Sequence, residues 1–302
     1  MGTLFLVRHG QASFGADDYD QLSALGQQQS VRLGEYFKSK GVTFSAAMSG
    51  TLKRQTQTLA GICQGMGVAF ESGPPQARPA PSGDSVLRET TSGGGAAASA
   101  GPPQARPAPS GGNELRETTR GGVSAASAGP PQARPAPSGG SVLHEVKSVG
   151  AHILYPGLNE YDSAAVIGAI HPHPLEKPDT PELYRHHFRL LKDGLAQWMA
   201  GVVSPVGMPS YPEFAAGVAG ALAHIRKHCA GNVLLVSSGG PIATAVGQVL
   251  GTSFETTIEL NLRIRNCSVT EFAFTPKRHM LLTYNTLPHL DAPEYASWVT
   301  YA

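Results

Sequence analysis

Apolar and polar positions along this chain switch between two periods, and the switches come in a regular order. Residues 3–7 form a short apolar run read as a strand. A helix pattern over about 23–40 follows, with Leu25, Leu33, Tyr36 and Phe37 on one face and Gly41 at its end. Next come a short strand at 44–48, a helix at about 51–66 and a strand near 68–70. After residue 154 the pattern predicts helices over about 181–200 and 212–229, a strand at 233–236, a helix at 241–250, and strands at 268–274 and 279–284. Strands alternating with helices predict an α/β fold: a three-layer sandwich whose mostly parallel central sheet carries helices on both faces.

Between the two halves the periodicity stops. The segment Gly-Pro-Pro-Gln-Ala-Arg-Pro-Ala-Pro-Ser-Gly starts at Gly73, Gly101 and Gly129, a tandem repeat with a period of 28 residues. Solenoid units stack apolar faces, but each unit here offers about one leucine and one valine. That is too little to offset the entropy of ordering, so residues 73–154 are read as a low-complexity, disordered insert rich in Pro, Ala and Gly. The first unit's prolines, Pro74, Pro75, Pro79 and Pro81, are never three apart, so Pro-x-x-Pro docking spacing is missing. The predicted globular domain is therefore discontinuous, made of residues 1–72 and 155–302.

Composition narrows the class. A net charge of +1 with 15% charged residues gives no global basic field, which argues against a nucleic-acid partner. No apolar run approaches the roughly 18 to 20 residues of a membrane span, and the run before Arg8 is too short for a signal-peptide core. Met1-Gly2 lacks the Ser or Thr that myristoylation wants, since Leu6 stands there. Cys63, Cys229 and Cys267 are far apart without metal-type spacing. A reduced, cytoplasmic setting is expected, with no metal and no cofactor. His171 and His173, in His-Pro-His-Pro, are read as loop residues, and His186 and His187 as helix side chains.

Two places carry chemistry. Leu4-Phe5-Leu6-Val7 runs into Arg8-His9-Gly10-Gln11, where an imidazole can attack phosphorus and a guanidinium can hold its oxygens. Leu234-Leu235-Val236-Ser237-Ser238-Gly239-Gly240-Pro241 repeats the strand-to-glycine turn without a basic side chain. Both turns follow strand ends, where α/β sheets bind ligands. Gly239-Gly240-Pro241 opens a helix with free N–H groups that favour an anion. Ser238 is read as helix cap and phosphate ligand together, with a plain cap as the rival reading.

These residues resemble the histidine phosphatase superfamily, also called the phosphoglycerate mutase-like family. Leu6-Val7-Arg8-His9-Gly10-Gln11 is similar to its nucleophile motif, and Leu22-Ser23-Ala24-Leu25-Gly26-Gln27-Gln28-Gln29 to its Leu-Thr-x-x-Gly-x-x-Gln helix start. The segment 49–58 resembles the one that delivers a second arginine, Arg54; Gly157-Leu158-Asn159-Glu160-Tyr161-Asp162 resembles the acidic stretch; Asn285 to Leu290 resembles the C-terminal Asn-x-x-x-His-Leu. The resemblance implies a phosphohistidine on His9, Arg8 and Arg54 on the equatorial oxygens, Glu160 as acid and base, and no metal. Ser238 and Gly239 complete the expected phosphate site, where the family usually places a histidine at the position of Ser238. A mutase's serine and asparagine positions hold Ala12 and Gly15. The expected function is hydrolysis of a small phosphomonoester; a weakly active member that binds phosphorylated ligands or a protein partner is the alternative, and oligomeric state stays open.

Overall fold

Leu4 and Leu6 of the first strand join one apolar cluster while Phe5 and Val7 join another, so alternation along a single strand already separates two packed faces. The computed structural model describes residues 1–13, 20–72, 147–173, 175 and 180–301. Through them run β1 (Gly2–Arg8), α1 (Ala24–Ser39), β2 (Ala46–Ser49), α2 (Lys53–Met66), β3 (Val68–Ser72), β4 (Lys147–Leu154) and α3 (Ser163–Gly168). There follow α4 (Pro181–Met199), α5 (Tyr211–His228), β5 (Asn232–Ser237), α6 (Gly239–Leu250), α7 (Phe254–Leu262), β6 (Val269–Phe274) and β7 (His279–Thr286).

The seven strands lie in the order β3-β4-β2-β5-β1-β6-β7. The pairs from β3 through β1 are parallel, and β6 and β7 add antiparallel strands at the edge. The expected α/β sandwich with a mostly parallel sheet is what forms. Helices α1 and α2 cover one face through Leu33, Phe37, Leu59 and Ile62. The other face is covered from α4 to α7 by Trp198, Phe214, Ile242 and Ile258 among others. Phe37 meets Phe5 and Phe44 edge-on, with ring centroids 5.6 and 5.2 Å away. Truncating a buried ring of this kind to alanine costs about 3–5 kcal/mol.

This layering fixes where a ligand can bind. Neighbouring strands β1 and β5 lead into helices on opposite faces, α1 and α6, so a crevice opens between their carboxyl ends. Their register pairs Arg8 with Ser237, and His9 N–H donates to the Ser237 carbonyl at 2.8 Å.

Three elements depart from the expectation. Residues 147–154, assigned by pattern to the insert, form β4 and pair with both β2 and β3, so the globular part resumes at 147 rather than 155. Gly150, at a positive φ of 109°, breaks the alternation that would have marked this strand. The short α3 was missing from the pattern because one turn and a half is too brief for a helical period. The pattern assigns no element between 250 and 268, yet α7 forms there, capped by Ser253 and packed on α6 through Ile258. The remainder of the repeat segment lies outside the described residues, as does its expected disorder.

Candidate active site

His9 sits one residue beyond β1, held through both of its ring nitrogens. Nδ1 lies 2.8 Å from the Gly10 carbonyl, which can only accept, so Nδ1 carries the proton. Nε2 receives the Arg54 Nε–H at 3.3 Å and therefore keeps its lone pair. Burial lowers the His9 pKa well below the ordinary imidazole value, and the charges of Arg8 and Arg54 lower it further. The ring is neutral at pH 7, with its unprotonated nitrogen, Nε2, turned to the Arg54 guanidinium. Gly10 is required beside it, because a Cβ there would collide with the Gly26 carbonyl of α1. Its N–H donates to Thr58 Oγ1 at 3.0 Å, tying the turn to α2.

Arg54 comes from the first turn of α2, and a carboxylate fixes it there. Asp20 accepts the Arg54 Nη1–H at 2.8 Å through Oδ1 and the Lys53 N–H at 2.9 Å through Oδ2. One side chain thus caps the helix and orients the guanidinium. Arg8, buried at the end of β1, donates to the Ile264 carbonyl. The loop bearing Ile264 is itself held by Asn285, whose Oδ1 accepts from Arg265 N–H at 2.9 Å and whose Nδ2 donates to Arg263 O at 2.9 Å. Asn285 adopts a φ of 55°, a left-handed conformation that Asn tolerates better than most residues. Asn266 Nδ2 donates to the His9 carbonyl at 3.2 Å.

The facing wall is built differently. Ser238 occupies the N-cap position of α6 but makes no cap bond with its side chain, which corrects the expected cap. Its fully buried Oγ instead accepts from Gln55 Nε2 at 2.9 Å. Gly239 follows at the first position of α6. The first acceptor at this helix start is the protein's own: Glu160 Oε1 and Oε2 accept the Gly240 N–H at 3.1 and 3.2 Å. A Cβ on Gly240 would overlap Glu160 and Tyr161. Burial raises the Glu160 pKa above its ordinary value, although the Gly240 N–H, Arg8 and Arg54 pull the other way.

Arg8, His9, Arg54, Glu160, Ser238 and Gly239 therefore all border the β1–β5 crevice: backbone register joins β1 to β5, and both arginines act electrostatically on His9 and Glu160. His289, from the C-terminal motif, is buried beside α1 instead, its pKa pushed down to about 3 by burial. His171 stands near His173 and His186, with ring centroids 5.8 and 6.3 Å apart, and no metal-holding group of His, Cys, Asp or Glu occurs among the described residues. Likewise, none of the described helices is long and apolar enough to cross a membrane. The sequence pattern missed Asp20 and Gln55. Asp20 lies in an aspartate-rich loop without periodicity; Gln55 adjoins Arg54 in a segment whose glutamines look interchangeable until the helix phase is known.

Comparison with known proteins adds the family. The model of the histidine phosphatase superfamily (branch 1) matches residues 4–74 and 175–287, which include Arg8, His9, Arg54, Ser238 and Gly239. A broad-specificity phosphatase of Saccharomyces cerevisiae is 35% identical over 63 residues, 19% of this chain and 27% of that protein. The match thus spans about a quarter of that relative's length. A mycobacterial glucosyl-3-phosphoglycerate phosphatase superposes with a TM-score of 0.50 at 16% identity, covering 95% of this chain and 99% of its own. Bacillus stearothermophilus YhfR gives 0.50 at 12% identity over 96% and 99%. At such identities the likeness is one of fold.

Proposed function

The chain belongs to the histidine phosphatase superfamily, and from that premise we propose that it is a phosphohydrolase acting on a small phosphomonoester through His9. The observation that carries this is the state of His9: a neutral ring whose proton is tied to the Gly10 carbonyl and whose Nε2 lone pair meets the Arg54 guanidinium. A nucleophile of this kind needs no base to free it.

In the first step Nε2 attacks phosphorus, the P–O ester bond breaks, and its electron pair leaves with the ester oxygen. Glu160 gives that oxygen a proton, a task suited to a carboxyl whose pKa burial has raised. Arg8 and Arg54 offset the charge spread over the equatorial oxygens. In the second step water attacks phosphorus, Glu160 takes its proton, and the N–P bond breaks to restore the Nε2 lone pair. Ser238 O–H and the start of α6 take the donor role that the family usually gives to a histidine at this position.

A second reading is a member that binds phosphorylated ligands with little turnover. The single hydroxyl at Ser238, already engaged by Gln55, favours it. Free thiols at Cys63, Cys229 and Cys267 support a reduced, cytoplasmic setting for either. The test is turnover of p-nitrophenyl phosphate by the purified protein and by His9→Ala. Turnover lost in the variant supports the hydrolase; turnover that survives defeats it. Phosphate binding without turnover in the parent favours the second reading.

A further inference from the structure

At the opposite end of the sheet from His9 lies a second polar constellation. His279 opens β7 and pairs with Phe274, which stands opposite Gly2 at the start of β1. The 7 residues of β1 separate that point from Arg8, a span of about 20 Å at roughly 3.3 Å per residue. A groove of about 260 Å³ opens there between α5, α6 and the β6–β7 hairpin. Its apolar wall is Ala219, Leu222 and Val249; beside Gln248, whose Nε2 donates to the Ala215 carbonyl at 2.8 Å, polar groups come from Arg226, Arg278 and His279.

Those donors lack acceptors. His279 is 8% exposed, packs against Phe272 and Phe274, and its buried Nε2 has no hydrogen-bond partner among the described residues. Arg226 donates through Nη1 to the Lys277 carbonyl at 3.2 Å, while its buried Nε has no such partner. Neither Arg226 nor Arg278 forms an ion pair with a described carboxylate, and no acidic residue lines the groove. Burial and then the Arg226 charge push the His279 pKa down to about 4, so the ring is neutral at pH 7 and donates from Nε2 in its Nε2–H tautomer. Buried donors without acceptors are unfavourable, and uncompensated guanidiniums attract anions.

We propose that this groove is a second ligand site, remote from His9, for a small amphipathic dianion. Its phosphoryl or phosphonyl head accepts from Arg226, Arg278 and His279 Nε2, and its apolar body lies on Ala219, Leu222 and Val249. Two guanidiniums match the charge of such a head, and one of them has an Nε–H free to give.

The test is an NMR titration of the full chain with phenylphosphonate, which cannot be hydrolysed. The His279 ring signals, present in parent and variant alike, are followed separately from His9, with the Arg226 and Arg278 Nε–H signals as further reporters in the parent. Expected are shifts at the groove with their own saturation curve, at least tenfold weaker in the Arg226→Ala/Arg278→Ala double variant, whose aryl phosphate turnover and His9-side shifts stay as in the parent. Groove signals unmoved at about 10 mM ligand, or moved equally in the double variant, overturn the site. Inorganic phosphate binding as tightly as phenylphosphonate overturns its amphipathic character. The groove signals are read independently of turnover, so failure of the hydrolase reading leaves this outcome intact.

Discussion

The wall of the crevice built on β1 and α2 and the wall built on β5 and α6 handle charge in opposite ways. On the first, Arg8 and Arg54 bring permanent positive charge, each anchored by an acceptor, Ile264 O for one and Asp20 for the other. On the second, there is a hydroxyl at Ser238, a backbone N–H at Gly240 and a carboxyl at Glu160. Burial depresses the pKa of the imidazole on the first wall, with the two arginines adding to it, and burial raises that of the acid on the second against the pull of the Gly240 N–H and the arginines. Shifts in these directions favour a neutral base beside a protonated acid. The cationic wall is therefore expected to supply most of the binding and rate, and the polar wall the proton.

Removing charge from the first wall gives the largest expected effect. Arg54→Ala is predicted to lower kcat about 10³-fold, at the upper end for one donor to a developing charge, measured with p-nitrophenyl phosphate. A loss under about tenfold would erase the asymmetry between the walls. Next is Glu160→Gln, expected to cost about 10²-fold with an alkyl phosphate and far less with a nitrophenyl leaving group, which needs no proton. Equal losses on both substrates would remove Glu160 from the acid role.

The pH profile sharpens the same contrast. His9 must be neutral, and its lowered pKa keeps it so on falling pH until well below the ordinary 6.5 of imidazole. Glu160 must be protonated, so activity falls as pH rises through its pKa, which lies above the ordinary 4.5. Glu160→Gln should abolish that alkaline fall. An acid limb near 6.5 in the parent would mean that burial and the arginines do not act on His9 as described.

Smaller effects follow on the second wall. Ser238→Ala is expected to cost about tenfold in kcat, less than the loss of a charged donor, because only a hydroxyl proton is removed. An effect as large as that of Arg54→Ala would make the two walls equals. The smallest concerns the repeat segment, which connects the chain carrying His9 to the chain carrying Glu160. Because β3 and β4 are parallel, replacing residues 73–146 needs a linker that crosses back along the strands; one of about 12 Gly and Ser residues suffices. Turnover and its pH profile are expected to stay unchanged in that variant.

The cationic wall was legible in the sequence because it is local. Arg8, His9 and Gly10 are consecutive, and Arg54 opens a helix with a clear apolar face. The polar wall was legible only as residue types. That Ser238 would accept from Gln55 rather than cap its helix depends on the packing of α2 against β5, which no local pattern encodes. Asp20 is the same case, since its partners Lys53 and Arg54 lie more than thirty residues away. β4 hid in the tail of a repeat because Gly150 interrupts its alternation, and its strand character comes from neighbours on both sides.

The most direct measurement is rapid quenching of the enzyme during turnover of a phosphomonoester, under alkaline conditions that preserve phosphohistidine, with the modified residue located by mass spectrometry. The predicted result is an acid-labile phosphoryl group on His9, reaching a stoichiometric burst and missing in His9→Ala. A burst of product with the phosphoryl group on Ser238, or with none on His9, would contradict it.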